Sequence, residues 1–458
     1  MSRAHSDLRT ARTDCAGPSV TGVAAVKLLA SLTGPLIAGG VIARRRTIMP
    51  ILERRQTDAD VVATVAELRS VHGAGPLQLH LPGRRVALPL VAADVARILH
   101  ESPEHFAPAN REKIAALSPF QPHGLLVSRG AMRTPRRTFN EDVLDTDRPL
   151  HHLAGAITTT IAAETRALAA DAALTGTLDA ASFIESWWGM VRSIVLGAAA
   201  RDDEAVTDDL WTLRSVGNRS YLRPNRRRLR ERFLDQLYRY VDAADPLSVA
   251  GAVAATRPAP TVDPVGQIPH WLFAFDAAAI VTLRALALLA AHPEAMKRAR
   301  REVGGADLSE PHVLPYLQAC VLESVRLWPT TPAILRDSLT KTSWGSNGER
   351  FDIGPGAAFL ILAGAFHRDP TTVPFADTFT PQAWLDGRAQ LLPGVVPFSA
   401  GPARCPGENL VLFIASMTLA NVLSELGTID HTSAPSFSAK HPLPATINHY
   451  SINLAVHR

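Results

Sequence analysis

The feature that most constrains the fold of this chain is a long apolar run from Trp271 to Ala291. Only Asp276, Thr282 and Arg284 interrupt it, and His292-Pro293-Glu294 closes it. A helix that is apolar on every side is either a membrane span or the centre of a large core. Because charged side chains within a span would be costly in lipid, the pattern favours a buried central helix.

A second constraint is a short loop that presents a single cysteine. Phe398 to Gly407 reads Phe-Ser-Ala-Gly-Pro-Ala-Arg-Cys-Pro-Gly, and an apolar helical run over 410–423 follows. Glycines at Gly401 and Gly407 allow tight turning and close approach to a flat partner. The helix start after Cys405 offers free N–H groups and a positive dipole end, which would favour a thiolate. The alternative is a buried structural cysteine that precedes an ordinary helix.

An acid and a base three residues apart, Glu323 and Arg326, lie in a helical segment at Leu314–Trp328. This spacing places both side chains on one helix face. An exposed pair of this kind contributes little, but the neighbouring residues here are apolar. Because a buried charge needs its partner, we expect a buried ion pair.

Taken together, these segments resemble the cytochrome P450 family. Phe398, Gly401, Cys405 and Gly407 match the haem-ligand loop, and Glu323-x-x-Arg326 matches the family's K helix. The apolar run resembles the long helix on the distal haem face. Further similar segments are Phe379–Trp384 and Leu443–Leu454, and the resemblance extends from about Glu67 to the C-terminus. It implies a mainly α fold with a small β-sheet portion, in one large domain, of the soluble bacterial type.

The resemblance implies that haem b (iron protoporphyrin IX) binds with Cys405 as the proximal thiolate ligand, which in this family favours O–O bond cleavage. It places Arg136, Arg336 and Arg404 near the haem propionates. Two carboxylates in a dry pocket need charge-assisted donors, which supports these assignments. The remaining cofactor-binding residues are Phe398, Gly401 and Gly407, while Glu323 and Arg326 brace the haem core.

The chain departs from the family pattern at four positions. Asp276 matches the distal acid, but Ala277 stands where most members have Thr. The other departures replace basic or aromatic residues, at Ala403, Ala383 and Met132. A methyl group cannot relay the protons that O–O cleavage requires. We therefore expect water held by a polar group of the substrate to replace the missing hydroxyl; Asp276 is alternatively a structural partner of an Arg.

By resemblance the chain is a monooxygenase that inserts one oxygen atom from O2 into an apolar organic substrate. No nucleotide-binding fingerprint is present, so we expect electrons from a separate ferredoxin-type donor with its reductase. Arg129, Arg133 and Arg137 are expected to form a basic docking face. The alternatives are another haem-thiolate reaction, such as peroxygenation or rearrangement, and a haem-binding protein without turnover.

Candidate walls of the substrate pocket are apolar residues near the distal helix, in the upstream loop and after the K helix. Plain core packing is the alternative for each, because aromatic residues dominate protein cores. The candidates are Phe106, Phe120, Phe273, Ala274, Phe275 and Ile334.

The chain has 458 residues, 47% of them hydrophobic, and no linker or repeat, which favours one domain over residues 58–458. Residues 1–57 are expected to form a partly flexible lead segment. Its apolar stretch Leu28–Ala43 is shorter than a span and broken by Gly34-Pro35, so we expect no membrane attachment, with a peripheral anchor as the alternative. No signal-peptide cleavage pattern follows it.

Three widely spaced cysteines indicate a reducing compartment, so we expect a cytoplasmic monomer. A net charge of only +4 gives no indication of nucleic-acid binding.

The predicted helices and strands follow hydrophobic periodicity. The helices are 58–72, 91–101, 133–144, 153–171, 181–199, 206–217, 225–242, 271–291, 292–302, 314–328 and 408–426, and the strands are 77–81, 85–89 and 358–362.

Overall fold

A buried helix at the centre of the molecule organises the fold. It extends from Ile268 to Ala291 and packs against the helices Pro315–Leu327 and Glu408–Glu425. Most of its side chains are buried, including those of Thr282 and Arg284. The expectation of a central core helix is therefore confirmed, and the fold class is the predicted one, mainly α with small sheets.

The computed structural model describes residues 17–218, 226–346 and 348–457, so Cys15 lies outside the described residues. Each predicted helix is present, with ends that differ from the prediction by a few residues at most. The helices in the described part are α1 (Gly22–Gly39), α2 (Met49–Arg55), α3 (Thr57–His72), α4 (Ala92–His100), α5 (Arg111–Leu117), α6 (Arg133–Val143), α7 (Ala154–Thr175), α8 (Ala180–Leu196), α9 (Glu204–Gly217), α10 (Arg227–Ala243), α11 (Val249–Ala255), α12 (Ile268–Ala291), α13 (Pro293–Gly304), α14 (Pro315–Leu327), α15 (Ala363–His367), α16 (Gln382–Leu385) and α17 (Glu408–Glu425).

The strands form three sheets. The largest has the order β1-β2-β3-β9-β6-β4, a second has the order β10-β11-β5, and β7 pairs with β8. In the largest sheet β6 is antiparallel to β9, with Arg336 opposite Phe359. The strands are β1 (Ser19–Thr21), β2 (Leu77–Leu81), β3 (Arg84–Leu88), β4 (Phe106–Ala107), β5 (Thr177–Asp179), β6 (Ala333–Ser338), β7 (Thr342–Ser346), β8 (Glu349–Ile353), β9 (Ala358–Leu362), β10 (Thr428–His431) and β11 (Asn453–His457).

The described part of the N-terminal segment, residues 17–57, packs onto the domain. β1 pairs in parallel with β2, and Leu28 and Leu32 of α1 are buried in the same apolar cluster as Leu77. The helix continues through Pro35, which we expected to end it. A proline inside a helix removes one hydrogen bond, but burial of an apolar face can outweigh that loss.

By length and composition, two helical segments among the described residues could cross a membrane, Gly22–Gly39 and Val265–Ala291. The second is 78% buried within the protein, as a core helix is. The first is only 22% buried, and its exposed side chains include Val23 and Ile37.

Candidate functional site

The cysteine loop lies directly before α17. The Cys405 N–H donates to the Phe398 carbonyl at 3.0 Å, which closes the loop around the sulfur. Burial raises the pKa of the Cys405 thiol to about 11, although a hydrogen bond from the Gly407 N–H lowers it. The start of α17 therefore does not by itself keep the Cys405 sulfur deprotonated, contrary to our expectation. A metal cation bound to the sulfur would favour the thiolate form.

Cys405 lines a cavity of about 300 Å³, which we call the central cavity. Asp276 and Ala277 of α12 line the same cavity, together with Phe398 of the cysteine loop. These residues are far apart in the sequence, and the fold brings them together as the resemblance implies. The cavity thus combines a sulfur ligand with a distal helix that carries one acid and no adjacent hydroxyl.

Glu323 and Arg326 form the predicted buried ion pair. Both side chains have no solvent exposure, and Arg326 Nη2 lies 2.7 Å from Glu323 Oε1. Arg326 also donates to four backbone carbonyl groups. Glu323 accepts from the Trp384 indole at 2.8 Å and from the Thr380 N–H at 2.9 Å. These two donors satisfy the carboxylate, so the pair does not require a basic residue at the neighbouring Ala383.

Three cations line one part of the central cavity, namely the buried Arg133 and Arg336 and the partly buried Lys113. The Lys113 ammonium also donates to the Pro108 carbonyl at 2.6 Å. Burial lowers the pKa of all three groups, and Arg133 lowers the pKa of both others further. Among the described residues, none accepts a hydrogen bond from the buried Arg133 Nη1. Arg336 donates to Ser399 of the cysteine loop at 3.3 Å. The group is suited to bind carboxylates.

Arg136, the predicted propionate ligand on α6, does not line this cavity. Its guanidinium donates to Ser128 Oγ at 2.8 Å. Arg133 and Arg137 line the cavity instead, because residues four apart share one helix face whereas Arg136 is rotated by about 100° from Arg137. The two residues on α6 that are four apart and line the cavity are thus one position after Met132 and Arg136.

The two loop glycines differ in what surrounds them. Gly401 has a φ of +64°, and a Cβ there would lie 2.2 Å from the Leu99 carbonyl oxygen. Its close approach is thus to α4 and not to a flat ligand. At Gly407 a Cβ would make only ordinary contact with Leu144. Neither glycine lines the central cavity.

Arg404 and the expected docking cations have partners of their own. Arg404 is 60% exposed and pairs with Glu408, so its guanidinium does not turn towards the buried cations. Arg129 pairs with Asp337, and Arg137 pairs with Glu141. Because Arg133 is buried, it cannot contribute to a docking surface as predicted.

Asp276 is held by a residue that sequence reasoning missed. Arg214 of α9 is 2% exposed, and its Nη2 lies 2.6 Å from Asp276 Oδ2. The same nitrogen donates to the Ile42 carbonyl at 2.9 Å, and the guanidinium lies 4.9 Å from the centre of the Phe273 ring. The structural interpretation of Asp276 is therefore the observed one. A lone Arg on an amphipathic helix gives no signal of such a contact.

The predicted pocket walls divide evenly. Phe273, Ala274 and Ile334 line the central cavity. Phe106 packs in a separate core cluster against Phe359, and Phe275 is buried in the main core. Phe120 does not line the cavity either, but its ring contacts that of Phe273 edge-on. The last three residues match the alternative of plain core packing.

These residues fit a haem. The central cavity joins one sulfur to a group of buried cations, and one of those cations has a buried N–H without an acceptor in the described part of the chain. Cys405 would hold the iron, and Lys113, Arg133 and Arg336 would hold the propionates. Among the described residues, Cys405 belongs to no group of three or more potential metal ligands, so the site does not suit zinc.

A family model described as Cytochrome P450 matches residues 274–444. The chain is 33% identical over 150 residues to drimenol monooxygenase of Persicaria hydropiper, and 29% identical over 145 residues to cyclooctat-9-en-7-ol 5-monooxygenase of Streptomyces melanosporofaciens. These matches cover 31% and 30% of this chain. The matched region spans only 29% and 31% of those relatives. Because similar proteins come from insects, plants and bacteria, they do not single out a soluble bacterial type.

Two solved structures share the fold. A cytochrome P450 (CYP102L1) has a TM-score of 0.68 at 17% identity, with coverage of 87% of this chain and 98% of that chain. The retinoic acid-bound cyanobacterial CYP120A1 has a TM-score of 0.67 at 16% identity, with coverage of 84% and 91%. The family match over residues 274–444 and this shared fold are both similarities to cytochrome P450 proteins.

Proposed function

We propose that this protein is a haem-dependent monooxygenase that inserts one atom of O2 into an apolar organic substrate. The observation that carries the proposal is that Cys405 lines the same cavity as Ala277 and the apolar residues Phe273 and Ile334. When bound, a haem with a thiolate ligand supplies dioxygen activation. The monooxygenase names of similar proteins support the same reaction class.

The chain's own residues position and enclose the reactants. Cys405 is the ligand, and its N–H bond to Phe398 keeps the loop closed. Lys113, Arg133 and Arg336 hold the carboxylates of the cofactor. Phe273 and Ile334 present apolar surface to the substrate and exclude water from the site.

Proton delivery is the step for which this chain lacks the usual group. The methyl of Ala277 neither donates nor accepts, and Arg214 holds the Asp276 carboxylate. We propose that a hydroxyl or carbonyl group of the substrate holds a water molecule that takes the place of a Thr hydroxyl. Efficient oxidation would then require a polar group near the oxidised carbon.

We also propose a separate ferredoxin-type donor with its reductase, and a monomeric cytoplasmic protein. The sequence contains no nucleotide-binding fingerprint, which supports an external electron source. Of the three arginines predicted for docking, Arg129 has the most exposed side chain, at 45%, which supports a contact with an acidic donor. The Arg137 side chain is only 16% exposed. The odd, scattered cysteines support a reducing compartment.

The test is a spectrum of the reduced protein under carbon monoxide, followed by turnover. The red-shifted Soret band of a haem-thiolate protein is expected, together with its loss in Cys405→Ala. An unshifted band, or an unchanged spectrum in the variant, would contradict Cys405 as ligand. Product from reduced nicotinamide with a surrogate ferredoxin supports monooxygenation; product from peroxide alone supports the peroxygenase alternative. An intact spectrum with no product across a broad compound screen supports a haem-binding protein without turnover.

A further inference from the structure

A second group of cations lines the central cavity and is not used in the assignments above. Arg44, from the turn after α1, and Arg284 of α12 both line it. Arg284 lies two helical turns beyond Asp276, and the i, i+4, i+8 spacing through Ile280 keeps all three residues on the cavity side. We call Arg44 and Arg284 the distal pair.

Arg284 is a buried cation without a carboxylate partner. The side chain is 7% exposed, Nη1 donates to the Trp328 carbonyl at 2.9 Å, and Nη2 is 3.5 Å from His449 Nδ1. Within the described part of the chain, Nε has no acceptor although it is buried. Burial, followed by the charge of Arg44, lowers the pKa of Arg284 to about 9. A buried guanidinium with only one short hydrogen bond is poorly compensated.

Arg44 is in a similar position. Its guanidinium donates to the Gly40 carbonyl at 3.2 Å and to the Thr330 carbonyl at 3.3 Å, and it forms no ion pair with a described residue. Burial lowers its pKa as well, and Asp58 is the carboxylate that acts most strongly against this. Asp58 also acts on Arg284. One acid thus offsets part of the charge of two cations.

No described carboxylate forms an ion pair with either cation of the distal pair. Asp276 is already paired with Arg214. Asp58 acts on both cations, but from beyond ion-pair distance. A negatively charged group on a ligand would supply the missing partner, and the free Nε of Arg284 can donate to it.

We propose that the substrate of this enzyme is an apolar acid whose carboxylate binds Arg44 and Arg284. This inference rests on the proposed function for the statement that the bound acid is oxidised. A carboxylate is favoured over a phosphate monoester because it carries one negative charge, whereas the phosphate carries up to two, and each additional charge that is buried costs desolvation energy.

The position of the distal pair also predicts where oxidation takes place. Ala277 and Arg284 are seven residues apart on one helix, which corresponds to about 10 Å along its axis. An acid held at Arg284 therefore presents to the haem a carbon far from its carboxylate. The product is expected to carry its new oxygen at a remote carbon, with the carboxylate retained. The substrate-assisted proton delivery proposed above then requires a second polar group near that carbon.

The experiment compares acids with their methyl esters on the haem-loaded protein by calorimetry. The probes are dodecanoate, abietate and 4-phenylbutyrate, so that the result does not depend on one carbon skeleton. At least one acid is expected to bind about tenfold more tightly than its ester, a difference typical of one charge-assisted contact. In Arg284→Met and in Arg44→Met, the ratio of the ester and acid dissociation constants is expected to fall to about one. Arg284→Lys is expected to retain part of the preference for the acid.

The control is Arg166→Met on α7, where the cation is 69% exposed and distant from the cavity lining. It is expected to leave the acid preference unchanged. The proposal is overturned if no acid binds more tightly than its ester, or if the preference persists in both Met variants. Tighter binding of dodecyl phosphate than of dodecanoate would overturn the assignment to a carboxylate. Because calorimetry requires no turnover, a protein that binds acids but lacks the carbon monoxide spectrum would contradict the proposed function alone.

Discussion

The Arg214 guanidinium donates to the Asp276 carboxylate at 2.6 Å, and this ion pair connects α9 with the central helix at the cavity. Arg214 is almost fully buried, whereas the Asp276 side chain is 18% exposed. The acid on the distal helix is thus engaged in structure at the point where a family member would use it for protons. The effect of this ion pair on proton delivery can be measured by changing the neighbouring residue, Ala277.

Restoring a hydroxyl in Ala277→Thr is expected to change coupling in a substrate-dependent way. For a substrate with a polar group near the oxidised carbon, the yield of product per reduced nicotinamide should change little. For its deoxy analogue, wild type should release peroxide, and the variant should improve the yield about tenfold, within the usual contribution of a positioned proton donor. If the analogue couples as tightly as the parent in wild type, substrate-assisted proton delivery is wrong.

Glu323→Gln is expected to destabilise the fold by about 3–5 kcal/mol, because Arg326 would remain buried and charged without its partner. Urea denaturation of the purified protein measures this loss. The matched control is Asp352→Asn, which breaks the exposed pair with Lys341 and should cost no more than about 1 kcal/mol. Equal effects of the two changes would contradict the assignment of Glu323 as the residue that braces the core.

Arg133→Met and Arg136→Met form a matched pair on one helix. Each arginine has a buried N–H without an acceptor among the described residues, but only Arg133 lines the cavity, whereas Arg136 donates to Ser128. We expect Arg133→Met to speed haem loss about tenfold, the equivalent of one hydrogen bond to a charged group, and Arg136→Met to have little effect. Transfer of haem to apomyoglobin measures both rates. Faster haem loss in Arg136→Met than in Arg133→Met would support the alignment that places Arg136 at the propionates.

Asp94 on α4 gives the stability a pH dependence. Burial raises its pKa to about 6, against the hydrogen bond from the Gly75 N–H and the charge of Arg97. The folded state therefore holds the proton more tightly than the unfolded chain, and this stabilisation, complete below about pH 4, is lost as the pH rises through 6. Asp94→Asn, which can still accept from Gly75, should remove this slope.

At pH 7 the Asp94→Asn variant should be more stable than wild type by about 1 kcal/mol; the full shift would correspond to more, but Asp94 is only partly buried. Denaturation midpoints between pH 4 and 7 provide the comparison. A variant with the same slope as wild type would exclude Asp94 as the source.

Local patterns were sufficient to predict the helices, the buried Glu323–Arg326 pair and the cysteine loop. Apolar periodicity and glycine positions are properties of neighbouring residues, so they are readable without the fold. The strand Ala358–Leu362 was predicted with its observed bounds for the same reason. Haem binding at Cys405 stays a prediction, now with a cavity that fits it.

Contacts between distant segments could not be predicted in this way. Arg214 is 62 residues from Asp276, and Arg44 is 286 residues from the carbonyl of Thr330. A run of arginines at the start of α6 offers two alignments, and only the helix orientation shows that Arg133 and Arg137 line the cavity while Arg136 does not. In the sequence, Arg284 was visible as a charged residue that interrupts the apolar run of the central helix. This interruption was the only feature of the sequence that pointed to the distal pair.

The pairing of β1 with β2 determines what can be removed from this protein. A chain shortened to begin at Asp58 would leave the backbone N–H and C=O groups of β2 unpaired along one edge, and would uncover the surface that Leu28 and Leu32 now cover. An open edge next to an apolar patch is a template for pairing between molecules. Such a trimmed chain would therefore be expected to aggregate, so the N-terminal strand and helix act as a protective cap that keeps the molecules apart.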